Sequence, residues 1–152
     1  MSEAEGPRSR EERKRDALHR LEHDPDVWVA TADPQGVPCL MPLFFWWDGS
    51  FLWLSTRPTN PSGANMAGTG TALLCLGTTR DVVHIEGAVT AFTAGELPEG
   101  VADAFTAKGD WDPRESPQRY DWYRVEPRAL RAWGTVPELA GRLLMRDGQW
   151  LV

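Results

Sequence analysis

The chain has 152 residues, a length that suits one domain of roughly 100–200 residues and leaves no room for two enzymes. Its 16 basic and 22 acidic residues give a formal charge of −6, the wrong sign for a nucleic-acid partner. No run reaches the roughly 20 apolar residues that cross a bilayer, and the Glu- and Arg-rich start lacks the apolar stretch of a signal peptide, so no membrane partner and a cytoplasmic location are expected. Cys39 and Cys75, without a CxxC partner, read as reduced thiols, with no disulfide framework and no metal site. Apolar residues make up 41%, and eight Trp and five Phe supply large buried areas for a core.

Residues 1–8 read as a disordered tail. Ser9, with Glu12 in capping-box spacing, opens a helix over about 10–23 whose Ala17, Leu18 and Leu21 form a narrow docking stripe. Nearly all of its charges read as a solvated face. Val27–Thr31 reads as a strand, Asp33–Gly36 as a turn, and 37–47 as a second strand that returns through an Asp48-Gly49 hairpin to Phe51–Ser55. Both faces of Leu40–Trp47 and of Phe51–Leu54 are apolar, so each needs cover on both sides, which points to a small barrel walled by a helix or a second subunit. Asn60-Pro61 starts a short helix that Gly68 and Gly70 stop. Strands at 72–77 and 81–92 follow, then a helix at 96–108, a loop at 109–118, and a sixth strand at 120–125. Pro127 interrupts that strand before 129–133 pairs again, and the chain ends in a tail around an Asp147-Gly148 turn. The expected layout is a tail at 1–8, one β domain with an N-terminal helix at 9–136, and a C-terminal tail or hairpin at 137–152.

Six segments stand in a recognisable order: Val29–Pro38, with its Ala-Thr-Ala-Asp-Pro-Gln-Gly-Val-Pro hairpin; Met41–Gly49; Leu52–Thr56; Asn65-Met66; Val82–Gly87; and Tyr123–Pro127 followed by Ala132-Trp133. Together they resemble the flavin-reductase-like split-barrel proteins of the pyridoxamine 5′-phosphate oxidase-like group, in particular its actinobacterial branch that uses the deazaflavin coenzyme F420. The resemblance implies a mainly β fold, a six-stranded antiparallel FMN-binding split barrel that forms a homodimer. It also implies F420 or FMN lying along the second and third strands, where Pro42, Leu43 and Phe44 would present backbone groups and an apolar wall to the ring system. The implied reaction is hydride transfer between that cofactor and a small conjugated organic substrate.

A cofactor phosphate needs donors and positive potential, which helix N-termini, hydroxyls and Arg provide. Ser55, Thr56, Arg57, Thr59, Asn60, Ser62 and Asn65 gather such groups around one helix start. Arg57 is the only Lys or Arg between Leu21 and Thr79. Against the family pattern, Ser62 and Ala64 stand where many relatives carry a Lys and an Arg. This leaves a second reading open, a split barrel without redox chemistry that binds or sequesters a ligand or serves as a dimeric interaction module. His84, sharing a strand face with Glu86, is the one candidate proton donor. His19 and His23 read as surface residues, and no nucleophile elbow, P-loop or GxGxxG is present.

Overall fold

The structure, a computed structural model, describes residues 6–152. Residues 1–5 of the expected disordered tail lie outside the described residues. Arg8, the last residue of that segment, is fastened to the domain: it donates from its backbone N–H and guanidinium to Glu138 and pairs with Asp16 and Asp81.

Helix α1 (Arg10–His23) begins on the expected capping box, with Ser9 and Glu12 satisfying each other's backbone N–H. It buries Ala17 and Leu21, and also Arg13, whose guanidinium donates to the Ala132 and Glu138 carbonyls at 2.8 and 3.2 Å. The solvated reading therefore fails at Arg13, which satisfies one carbonyl near the end of a distant strand and another in the turn that follows it.

Strands β1 (Asp26–Ala32), β2 (Pro38–Trp47), β3 (Leu52–Thr56), β4 (Thr71–Thr78), β5 (Asp81–Phe92) and β6 (Asp121–Trp133) run antiparallel in the order β3-β2-β1-β4-β5-β6. Pairing of β3 with β6 closes them into a six-stranded barrel. The β2–β3 turn forms because Asp48 accepts the N–H groups of Ser50 and Phe51 and the indole N–H of Trp53. Val29, Phe45, Leu52, Leu54, Leu74, Ile85, Tyr123 and Val125 fill the interior. At roughly 1.5–3 kcal/mol for each large apolar side chain, this is the main source of stability.

Strand β6 passes through Pro127 without a break, contrary to the expected interruption. The register with β5 skips Arg128 between Glu86 and Gly87, and a bulge is where a residue without an N–H is tolerated. Gly87 is required there, because a side chain would run into Val125. Helix α3 (Val101–Gly109) starts five residues later than expected, since Glu96 is spent accepting the N–H and O–H of Thr93 in a turn. The C-terminal segment is a hairpin, β7 (Leu143–Arg146) and β8 (Gln149–Trp150), that extends the sheet from β6 and buries Leu144 in the barrel core.

The two ends of the barrel are closed differently. Helix α1 sits at the end marked by the β4–β5 turn, where Arg20 pairs with Asp81. Helix α2 (Pro61–Thr69) closes the opposite end, where Asn65 donates to Thr31 at 3.1 Å and Met66 enters the core. The outer wall is also divided. Beneath α3, Trp53, Phe105 and Trp122 form a second apolar cluster that covers β3. Over β1, β2 and β4 the outer face is bare, with Trp28, Leu40 and Leu73 49%, 60% and 45% exposed. Among the described residues no helix is long and apolar enough to cross a membrane.

Candidate cofactor site

The site grows from the point where β3 and β6 end together. Their register sets Thr56 opposite Asp121, and the chain then turns through Arg57-Pro58-Thr59-Asn60, closed by the Asn60 N–H on the Arg57 carbonyl at 3.0 Å. Pro61 sits in the first turn of α2, its fixed φ suiting that position. Asn60 occupies the N-cap but does not cap: its amide reaches back to donate to Thr56 Oγ1 at 3.1 Å. The first turn of α2 is therefore left without a side-chain acceptor, a helix start with positive potential and donors to spare.

Gly63 belongs to that turn, and it must be glycine. A Cβ there would lie 2.5 Å from the Arg57 carbonyl oxygen and 2.7 Å from the Tyr123 hydroxyl. That hydroxyl is buried and has no hydrogen-bond partner among the described residues, and Tyr123 is 1% exposed. An unsatisfied buried hydroxyl costs about 1–3 kcal/mol. Burial, helped by Asp121 and opposed by Arg119, pushes the Tyr123 hydroxyl up to about 12, so it stays a donor throughout the physiological range.

The candidate residues fall into two groups. Arg57, Thr59 and Asn60 lie on the turn between β3 and α2, and Arg57 is half-buried with no acidic partner among the described residues. Ser55, Thr56, Ser62 and Asn65 are buried. The Ser55 hydroxyl donates to the Asp121 carbonyl at 2.9 Å, Ser62 Oγ lies 3.5 Å from Cys39 Sγ, and Asn65 is committed to Thr31. These four shape the end of the barrel from within.

Pro42 and Leu43 lie on the part of β2 that pairs with β1 alone, because β3 joins β2 only from Phe45 onward. That half of β2 is an open edge, with Pro42 exposed and Leu43 half-buried. Phe44 is placed differently: its ring packs edge-on against Phe105 at 4.9 Å, so it belongs to the cluster beneath α3. Around the corner, on the bare outer face at the α2 end, lies an apolar groove of about 620 Å³ lined by Ala30, Pro38, Leu73 and Ala88 and rimmed by Glu86 and Arg128.

His84 does not join this site. It lies on the outer face between Cys75 and Arg131, toward the α1 end. Burial and the Arg131 charge hold its imidazole below its ordinary range, opposed by Glu86. Glu86 itself pairs with Arg131 at 3.3 Å, so the expected His–Glu pair gives way to a Glu–Arg pair.

Sequence reasoning missed Arg119, Asp121 and Tyr123 as members of this end. Arg119 Nε and Nη2 each donate to an Asp121 carboxylate oxygen at 2.9 Å. Only the β3–β6 register, which joins residues 65 positions apart, brings them beside the Arg57 turn.

The model of the family described as pyridoxamine 5′-phosphate oxidase matches residues 14–134. Among curated proteins none matches the chain. Solved structures share the fold at low identity. A protein titled F420 reductase superposes with a TM-score of 0.59 at 17% identity over 74% of this chain and 93% of that one. General stress protein 26 from Bacillus anthracis gives 0.63 at 14% over 79% and 92%. A pyridoxamine 5′-phosphate oxidase-related, FMN-binding protein from Nostoc punctiforme gives 0.53 at 19% over 78% and 80%.

Proposed function

The chain belongs to the pyridoxamine 5′-phosphate oxidase family, and from that premise we propose that it is an oxidoreductase that binds F420 or FMN and passes a hydride between that cofactor and a small conjugated organic substrate. The observation that carries this reading is the uncapped start of α2 beside Arg57, cradled by Gly63 over an unsatisfied Tyr123 hydroxyl. This is the donor set that a phosphate-bearing cofactor requires. Similarity to a protein titled F420 reductase and to an FMN-binding protein supports the same cofactor class.

In this reading Arg57 and the free N–H groups of α2 hold the phosphate, and the open edge of β2 at Pro42 and Leu43 receives the ring. When bound, the cofactor supplies the hydride-carrying carbon. The protein's part is to orient the ring, exclude water and hold the substrate against it. The bare face of Trp28, Leu40 and Leu73 is the surface that a second copy would cover, completing the site as a homodimer.

Titration of the purified protein with F420 and with FMN, followed by fluorescence, tests the reading. Saturation by either at micromolar concentration is expected, and binding of neither would sink it. One observation favours a ligand-binding role without redox chemistry: Ser62 is turned toward Cys39, so it does not replace the Lys that the family resemblance leads one to expect there. A cofactor that binds yet, once reduced, is never reoxidised by a quinone acceptor would mark that role.

A further inference from the structure

Resting on the reading that a cofactor phosphate docks at the start of α2, we propose that Arg119 is the second cation of that site, held in position by Asp121 and replacing the basic side chains that α2 lacks at 62 and 64. Arg57 alone offers one positive charge, whereas the phosphate monoester of FMN carries about −1.5 to −2 near neutral pH. The β3–β6 register brings a second guanidinium to this corner, whose charge is shared with Asp121 and whose free edge adds donors for the phosphate oxygens. Thr56 stands opposite Asp121, so Arg57, one residue beyond, and Arg119, two residues before, flank the same corner of the barrel.

Arg119 is built to serve from there. Its Nε and Nη2 are spent on the two oxygens of Asp121, which fixes the plane of the guanidinium and leaves Nη1 free on a side chain that is 66% exposed. Asp121, with its side chain 12% exposed, is walled in on the protein side, so its charge is directed at Arg119. Tyr123 gives an independent sign of a ligand at this corner. On the same face of β6 as Asp121, two residues further on, its buried hydroxyl points to Gly63 in the first turn of α2 and has no partner among the described residues. An unpaired hydroxyl beneath the first turn of α2, a guanidinium with a free edge and an uncapped helix start lie at one corner of the barrel, and a phosphate seated on the helix start would accept from the last two.

The test compares FMN with riboflavin, which has the same ring and no phosphate, on the wild type, Arg119→Gln and Asp121→Asn. Arg119→Gln is expected to weaken FMN by about tenfold or more, the scale of a charged hydrogen bond, while riboflavin binding stays unchanged. If Asp121 positions Arg119, Asp121→Asn weakens FMN in the same way. Tighter FMN binding in Asp121→Asn would show that the carboxylate only repels phosphate, and would overturn its role. Equal FMN affinity in wild type and Arg119→Gln, or a loss that riboflavin shares, would overturn the clamp. F420 titrations of the same variants are read by the same criterion, and thermal melts of each variant check that it folds. Should the wild type bind neither cofactor, the proposed function fails while the clamp is still decided by inorganic phosphate. Phosphate line broadening in ³¹P NMR that disappears in Arg119→Gln upholds it, and absent or Arg119-independent broadening removes it.

Discussion

At the α1 end of the barrel, Arg8 and Arg20 close on Asp16, Asp24, Asp81 and Glu138, and Glu138 also takes the Gly134 N–H at 2.7 Å. At the α2 end, Arg57 meets no acid among the described residues, Arg119 keeps one nitrogen free, and the Tyr123 hydroxyl lacks an acceptor. The first cluster spends its hydrogen-bonding capacity on the protein, fastening the N-terminal segment to the barrel and to the segment after β6. The second leaves donor capacity unspent on the protein, which is what the proposed phosphate site requires.

Breaking the α1-end cluster should produce the largest change in stability. Glu138 is 3% exposed, and replacing it with Ala leaves Arg8 without its main partner, at an expected cost of about 3 kcal/mol in urea unfolding. The same residue sets an acid limit. The Arg8 guanidinium and backbone N–H groups hold the Glu138 carboxyl down to about 2, below its ordinary 4.5. Its folded value is depressed, so the stability it contributes is complete above about pH 4.5 and is lost as pH falls from there toward 2. Glu138→Gln should flatten the acid side of the stability profile, and an unchanged slope would relocate that dependence.

At the other end the ligand should feel the changes more than the fold does. Arg57→Ala is expected to weaken cofactor binding by about 1.5–3 kcal/mol, with a melting temperature close to wild type. Gly63→Ala forces a methyl against the Arg57 carbonyl and the Tyr123 hydroxyl, so it should destabilise the protein by about 1–3 kcal/mol and also block binding, as thermal melts and titrations on one preparation would show. Tyr123→Phe, like Arg57→Ala, should change the fold little. Without ligand, removing an unpaired buried hydroxyl should leave stability within about 1 kcal/mol of wild type or raise it, whereas cofactor affinity should fall.

How much of each end could be read in advance follows from the range of the interactions. The Ser9–Glu12 capping box and the Asp48-Gly49 turn act within three residues, and both stand where the sequence placed them. The Asn60-Pro61 helix start was legible too, but not that Asn60 would turn back to Thr56 and leave the helix uncapped. Pro127 read as a break because the bulge that accommodates it depends on Gly87 in another strand. Arg8 read as part of a loose tail because its partner Glu138 is 130 residues away. Arg119 and Tyr123 were invisible as site residues for the same reason, since closure of β3 on β6 creates the corner they share. His84 was singled out from its neighbours on one strand, and the sheet then set it toward the other end of the barrel from the Arg57 turn.

The most direct test of a phosphate-bearing cofactor at the α2 end is a fluorescence titration of the purified protein with F420 and with FMN. Saturable binding of at least one at micromolar concentration or below, weakened by Arg57→Ala, is the expected result. Failure of both to bind, or binding indifferent to Arg57, would contradict it.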